Sequence, residues 1–188
     1  MVAILHHRKS IRLKGYDYSK AGRYFITVCT QNRLHYFGEI VGATLRGRPN
    51  NPDAMIETWL LELEHKFNDV KIGPYVIMPN HIHVIIEKEN AGSVADQNRG
   101  GQWGDHAGSP LRNVIGWFKT MTTNEYMRKV RKGLYEPFEK RLWQRNYYEH
   151  IIRDEQDYQT IAEYIEQNPM RWEQDVLYEE IEMGQEAK

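Results

Sequence analysis

The sequence predicts an α+β fold in which an antiparallel four-stranded sheet carries two helices on one face, with a further helix at the carboxyl end. Three observations predict it: β-branched runs without breakers, apolar residues at helical spacing, and the order strand, helix, strand, strand, helix, strand, helix. The chain has 188 residues, of which 40% are hydrophobic and 27% are charged. Such a chain is typical of a single packed domain, which we expect to span residues 1–188.

The first strand and the first helix are predicted within residues 24–69. Residues 24–30 (YFITVCT) are β-branched and aromatic, which favours a strand buried on both faces. Asn51 and Pro52 are typical of an N-cap and a first helical position. Apolar residues at three- and four-residue spacing then predict an amphipathic helix to about Asp69: Ile56, Trp59, Leu60, Leu63 and Phe67.

A hairpin and a second helix come next. Residues 75–78 and 81–87 read as strands separated only by Pro79 and Asn80. Pro110 opens a second helix. Its buried stripe is predicted to be Leu111, Val114, Ile115, Phe118 and Met121. Its final turns are basic, which suits the helix dipole, and contain Arg128, Lys129, Arg131 and Lys132.

The last strand and helix are predicted within residues 142–169. Residues 142–153 favour a strand, Asp154 is a typical N-cap, and Pro169 is expected to end the helix. The apolar face of this helix is predicted to be Tyr158, Ile161, Ala162 and Ile165. The whole order is that of a ferredoxin-like fold, which by itself indicates no particular chemistry.

Charge separates the two ends of the chain. Residues 1–50 carry nine Lys and Arg against two Asp and Glu, whereas residues 173–188 carry six acids and one lysine. A basic arm over 1–20 and an acidic tail over 173–188 favour a polyanion partner that the tail would repel, with two solvated termini as the alternative. Residues 89–108 contain five glycines, and we expect a loop or insertion there.

Composition also excludes several classes of protein. No run approaches the roughly 18 apolar residues of a membrane span, and residues 1–14 lack the features of a secretory signal. We therefore expect a cytoplasmic protein without a membrane partner. The single cysteine, Cys29, excludes an internal disulfide and a multi-cysteine zinc site, and we expect it to be a small buried hydrophobe.

Two histidines, His81 and His83, lie in the strand predicted over 81–87. Because strand side chains alternate between faces, both imidazoles point the same way while Ile82 and Val84 point into the core. Two imidazoles side by side form half of a divalent metal site. Two exposed or hydrogen-bonded histidines are the alternative, although burying paired polar rings without a purpose is costly.

Three tyrosines precede an oxygen ligand by four residues, which places both side chains on one helical face: Tyr135 with Glu139, Tyr164 with Asn168, and Tyr178 with Glu182. Pro137 interrupts the first pair, and the acidic tail around the third would repel phosphate. Tyr164 and Asn168 remain, on the flank of the buried stripe of the last helix. A packing tyrosine and a helix-terminal asparagine are the alternative interpretation.

These segments together resemble the single-tyrosine HUH transposases, where U is a bulky apolar residue, and among them the REP-associated tyrosine transposases. The resemblance rests on MPNHIHVII at 78–86 and WQRNYYEHIIRDEQDYQTIAEYIEQNPMRW at 143–172. It extends to residues 10–18, 24–33 and 118–120, and so covers most of the chain outside the glycine-rich segment and the last fifteen or so residues.

The resemblance implies an enzyme that cuts and rejoins single-stranded DNA. His81 and His83 would bind Mg²⁺ or Mn²⁺, Asn168 would complete the protein ligands, and Tyr164 would attack a phosphodiester to give a 5′-phosphotyrosine. The DNA would form a hairpin, and the bound protein would be nucleoid-associated. Whether Tyr164 serves its own chain or the partner in a homodimer stays open.

Phosphate contacts are predicted from basic residues of the amino end and of the second helix: Arg8, Lys9, Arg12, Lys14, Arg23, Arg33 and Lys119. Tyr16, Tyr18 and Tyr24 lie among them and either stack on unpaired bases or pack in the core. A separate hypothesis is that the acidic tail folds over the basic face as a DNA mimic and restrains activity.

Other functions are weaker alternatives. A hairpin-DNA binder that has kept the fold without catalysis is the main one. A histidine-triad phosphohydrolase needs a third histidine where Ile85 stands, and the two predicted helices do not suit a cupin-like oxygenase.

Overall fold

The computed structural model describes residues 20–38, 51–89 and 110–178, and these form the predicted α+β architecture. The arm residues before 20, the glycine-rich segment from residue 90 and the tail beyond 178 lie outside the described residues. The elements in chain order are β1 (Gly22–Cys29), α1 (Pro52–Lys66), β2 (Val70–Met78), β3 (His81–Lys88), α2 (Leu111–Arg131), β4 (Tyr148–Ile152) and α3 (Glu155–Gln167). Two 3₁₀ turns, Gln31–Arg33 and Asn168–Gln174, follow β1 and α3.

The sheet has the strand order β2-β3-β1-β4, and each neighbouring pair is antiparallel. This is the order of a ferredoxin-like fold, so the predicted fold class is confirmed. The central strand β3 alternates between two environments. Its residues Ile82, Val84 and Ile86 pack with α1 and α2, whereas Ile85 packs on the opposite face with α3.

The larger core lies between the sheet and the helices α1 and α2. Ile56, Leu60 and Leu63 of α1 and Val114, Ile115 and Phe118 of α2 are buried in it, as the helical spacing predicted. Tyr24 is fully buried in the same cluster, and its hydroxyl donates to the carbonyl oxygen of Lys20 at 3.0 Å. Tyr24 is therefore a core residue, while Tyr16 and Tyr18 lie outside the described residues. Cys29 is buried, as expected.

The opposite face of the sheet is covered by α3. Ile165 of this helix packs with Ile85 of β3 and Ile152 of β4, and the other predicted apolar residues of α3 line the same cluster. Asp154 caps α3, because its side chain accepts a hydrogen bond from the Asp157 backbone N–H at 2.8 Å. The docking of this helix carries Tyr164 to the sheet face that holds the histidines.

The predicted end of α1 and the predicted start of β4 differ from the structure. Helix α1 ends at Lys66 rather than near Asp69. It begins at Pro52 after the N-cap Asn51, as predicted, although the Asn51 side chain makes no capping hydrogen bond.

Strand β4 begins at Tyr148 rather than at residue 142. The lead-in segment is held from two sides. Trp143 forms an isolated antiparallel bridge with Thr30, just after β1. The carbonyl oxygens of residues 144–146 accept hydrogen bonds from the Lys119 ammonium of α2 at 3.0–3.4 Å.

No helix in the described part of the chain is long and apolar enough to cross a membrane.

Candidate metal and nucleophile site

The two histidines of β3 meet on the sheet face opposite α1 and α2. His81 is fully buried and His83 is 3% exposed, and their Nε2 atoms lie 3.0 Å apart. Ligands at right angles around a cation, each about 2.1 Å from it, are separated by about 3 Å. The spacing of the two nitrogens therefore fits adjacent ligands of an octahedral ion.

The other nitrogen of each imidazole has a partner in the protein. His81 Nδ1 lies 2.8 Å from Asn80 Oδ1, and His83 Nδ1 lies 2.7 Å from Thr27 Oγ1. Asn80 Nδ2 in turn donates to the carbonyl oxygens of Arg33 and Leu177. These contacts orient both rings so that their Nε2 atoms face the same space.

Helix α3 brings Tyr164 and Asn168 to this pair. Tyr164 Oη lies 3.2 Å from His83 Nε2 of the same chain. Tyr164 is 40% exposed, so the site is open to solvent on the side where this tyrosine lies. Asn168 follows the last residue of α3 and is 2% exposed. The structure thus gathers the four side chains that the sequence singled out, within one chain.

A carboxylate that the sequence analysis placed in the acidic tail completes the group. Asp175 Oδ2 accepts hydrogen bonds from Tyr164 Oη at 2.9 Å and from Asn168 Nδ2 at 2.7 Å. Its Oδ1 accepts from the Leu177 backbone N–H at 2.7 Å. Ligand atoms of His81, His83 and Asp175 all lie within 4.8 Å of one another.

Aromatic rings wall the site. Phe25 stacks on the His83 ring with centroids 5.2 Å apart and meets the Tyr164 ring edge-on at 6.2 Å. Trp172 packs against His81 at 5.7 Å. These ring contacts contribute to the burial of both imidazoles.

Burial controls the charge of the titratable groups. Desolvation lowers the pKa of His83 to about 4, against an opposing pull from Asp175. Desolvation, together with the nearby His83 and Arg33, holds the pKa of His81 well below its usual value. Both imidazoles are therefore neutral at physiological pH and can donate lone pairs. Burial, and then the Asp175 charge, raises the pKa of Tyr164, so its phenol is protonated in this arrangement.

The residues present fit a divalent cation. Asn168 Oδ1 is buried without a hydrogen-bond partner, which is costly for an amide oxygen unless something else satisfies it. Two neutral imidazoles, an amide oxygen and a carboxylate are a mixed nitrogen and oxygen donor set of the kind that binds first-row divalent ions.

The predicted phosphate contacts are placed in different surroundings. Arg23 forms an ion pair with Glu155 at 3.0 Å and lies over the Tyr158 ring. Arg33 is close enough to His81 to lower its pKa, so it borders the site. Lys119 lies on α2, in the helix layer on the other face of the sheet, with its ammonium among backbone carbonyls. Arg8, Lys9, Arg12 and Lys14 lie outside the described residues.

Three residues of the site were missed by sequence reasoning. Asn80 adjoins His81 in the motif and was given no role, although its place in a two-residue turn was a usable signal. Thr27 meets His83 through the register of β1 and β3, which local sequence does not specify. Asp175 carries no spacing signal, because its contact with Tyr164 depends on the 3₁₀ turn after α3.

Similar proteins were found both by sequence and by fold. An uncharacterised protein of Haemophilus influenzae is 40% identical over 183 residues, which are 93% of this chain and 94% of that protein. Another H. influenzae protein, named as a REP-associated tyrosine transposase, is 26% identical over 164 residues, 82% of this chain and 74% of that protein.

Among solved structures, a REP-associated tyrosine transposase bound to a REP hairpin matches with a TM-score of 0.51 and 20% identity, over 86% of this chain and 73% of that one. No protein-family model matches the chain. The structural match shows that the fold is shared.

Proposed function

We propose that this chain catalyses a metal-dependent cleavage and rejoining of single-stranded DNA. The chain belongs to the same family as the uncharacterised H. influenzae protein and is a distant relative of the REP-associated tyrosine transposases. The observation that carries this proposal is the meeting of the Tyr164 phenol with the buried imidazole pair, 3.2 Å from His83 Nε2. A hydroxyl nucleophile beside a ready set of metal ligands is the arrangement that phosphodiester transfer requires.

The cation that we propose for this site is Mg²⁺ or Mn²⁺, held by the Nε2 atoms of His81 and His83 and by Asn168 Oδ1. When bound, it would withdraw charge from the scissile phosphate and orient it for in-line attack. The neutral state of both imidazoles supports this assignment, because a metal ligand must offer a lone pair.

Tyr164 is the proposed nucleophile. Its Oη would form a bond to phosphorus as the bond to the 3′-oxygen breaks, leaving a 5′-phosphotyrosine and a free 3′-hydroxyl. The phenolic proton would leave along the hydrogen bond to Asp175 Oδ2, and the departing 3′-oxygen would take up a proton. Attack by a 3′-hydroxyl on the phosphotyrosine reverses the step and rejoins DNA without an energy source.

Hairpin-forming DNA is the proposed substrate. The transposase of the same fold was solved with a REP hairpin, and this chain carries a basic amino end. Arg33, whose carbonyl oxygen accepts from Asn80 and whose charge lowers the pKa of His81, is a proposed phosphate contact next to the cut. Lys119 is less well placed, and its DNA contact stays a prediction.

A labelled hairpin oligonucleotide with a single-stranded flank tests the proposal. Incubation with Mn²⁺ and separation on a denaturing gel should give a protein–DNA adduct and a shortened strand, and EDTA should abolish both. Tyr164→Phe should lose the adduct by more than about 10³-fold while keeping its affinity for the hairpin. Tyr158→Phe is the matched control, because Tyr158 lies on the same helix but packs under Arg23.

Two outcomes would contradict the proposal. A full-yield adduct from the Tyr164→Phe variant would move the nucleophile elsewhere. Tight hairpin binding by the wild-type protein with no adduct in any divalent metal would favour a hairpin-binding protein without catalysis.

A further inference from the structure

The two imidazoles are held on their outer sides by chemically different partners. His81 Nδ1 meets the amide oxygen of Asn80, and His83 Nδ1 meets the hydroxyl of Thr27. A carbonyl oxygen can only accept a hydrogen bond, whereas a hydroxyl can donate or accept. The two rings therefore differ in how firmly their tautomers are fixed.

Asn80 fixes the tautomer of His81. Its Nδ2 donates to the carbonyl oxygens of Arg33 and Leu177 at 3.1 and 2.9 Å, so the amide cannot turn over without losing both bonds. Its Oδ1 then faces His81, whose Nδ1 must carry the proton. Consequently His81 Nε2 always presents a lone pair to the site.

Thr27 leaves His83 free to change tautomer. Without a cation between them, two Nε2 lone pairs facing each other at 3.0 Å would repel each other. A proton on His83 Nε2 removes this repulsion, and Thr27 then donates to His83 Nδ1. A cation between the rings needs both Nε2 lone pairs, so the His83 proton must then reside on Nδ1, with Thr27 as its acceptor.

We propose that Thr27 is a positioning residue of the metal site, whose hydroxyl reverses its hydrogen bond so that His83 can change tautomer when the cation binds, while Asn80 holds His81 in one tautomer. The inference rests on the proposed metal site. It accounts for a threonine that is only 5% exposed on the face of β1 that also carries Phe25, directly opposite His83 in the sheet register.

Histidine ¹⁵N spectra of the full-length protein test the tautomers directly. In EDTA, His81 should be protonated on Nδ1 and His83 on Nε2. With saturating Mg²⁺, His81 should be unchanged and His83 should be protonated on Nδ1. A His83 proton on Nδ1 already present in EDTA would overturn the inference.

The affinity for metal provides an independent test of the role of Thr27. Thr27→Val keeps the side-chain shape but removes the acceptor, and it should weaken Mn²⁺ binding by about 10- to 100-fold in a calorimetric titration. Thr27→Ser should restore binding to within about threefold of the wild type. Thr122→Val is the matched buried control, since the Thr122 hydroxyl accepts from Trp143 Nε1 instead of from a histidine.

The outcomes separate this inference from the proposed function. Wild-type Mn²⁺ affinity in the Thr27→Val variant, with a normal melting profile, would overturn the role of Thr27 while leaving the metal site intact. Metal binding with the expected tautomers but no DNA adduct would instead remove the proposed nuclease activity and leave Thr27 in its role.

Discussion

The carboxylate of Asp175 supplies the negative charge of a site whose other donor groups are neutral. His81 and His83 are held in the neutral form by burial, and Asn168 offers an amide oxygen. A dication on neutral ligands alone would keep its full charge in a partly buried setting, which is costly. Asp175 would offset that charge, and its bonds to Tyr164 and Asn168 also orient the proposed nucleophile and the amide.

Asp175→Asn should therefore weaken Mn²⁺ binding in the absence of DNA. The substitution keeps the size of the side chain but removes its charge, and we expect at least a tenfold loss of affinity, about 1.4 kcal/mol. Calorimetric titration measures it. Glu173→Gln removes an exposed acid two residues earlier and serves as the control. Equal affinities for the wild type and the Asp175→Asn variant would show that the carboxylate does not interact with the cation.

At the scale of elements, the parts that local pattern specifies were predicted and the parts that distant contacts specify were not. The spacing of apolar residues predicts the buried faces of α1, α2 and α3 and the alternating faces of β3. These elements are confirmed with small boundary shifts. The start of β4 was wrong by six residues. Trp143 still forms an isolated bridge with Thr30, but the next carbonyl oxygens, those of residues 144–146, bond to Lys119 of α2, and the regular ladder with β1 resumes only at Tyr148.

Lys119→Met tests this structural role of the lysine. Three backbone carbonyls would lose their donor, so we expect a loss of about 1–3 kcal/mol in the free energy of unfolding, measured by urea denaturation. Lys132→Met removes an exposed lysine after α2 and should cost less than about 0.5 kcal/mol.

Hairpin affinity of the same two variants tests the predicted phosphate contact of Lys119. If Lys119 serves the fold alone, the folded Lys119→Met variant binds the hairpin as tightly as the wild type. A selective loss of affinity, with stability unchanged, would restore the sequence-based assignment.

At the scale of the whole molecule, the site exists because the sheet is covered on both faces. The larger core fixes β3 from one side, and α3 docks Ile165 against Ile85 and Ile152 on the other. That docking sets Tyr164 beside His83. The sequence predicted this meeting through the motif pair and its resemblance to known transposases. It did not predict Thr27 or Asp175, because their contacts depend on strand register and on the path of the chain after α3.

The position of the residues that follow α3 changes how the acidic-tail hypothesis must be tested. Truncation after Trp172 removes the tail charge, and the hypothesis predicts higher hairpin affinity and cleavage. The same truncation also removes Asp175 and the Leu177 carbonyl that Asn80 binds, and it therefore damages the site. The two effects oppose each other on cleavage, so the truncated chain alone does not measure the restraint.

Neutralising the distal tail separates the two effects. Glu179, Glu180, Glu182 and Glu186 changed together to Gln retain Asp175 and Leu177 while removing four negative charges. If the tail competes with DNA for the basic residues, hairpin affinity should rise by about 3- to 10-fold near 50 mM salt. The gain should disappear near 300 mM, where charges are screened within about 6 Å. Fluorescence anisotropy with a labelled hairpin measures both. Equal affinities at low salt would mean that the distal acids are solvated and exert no restraint.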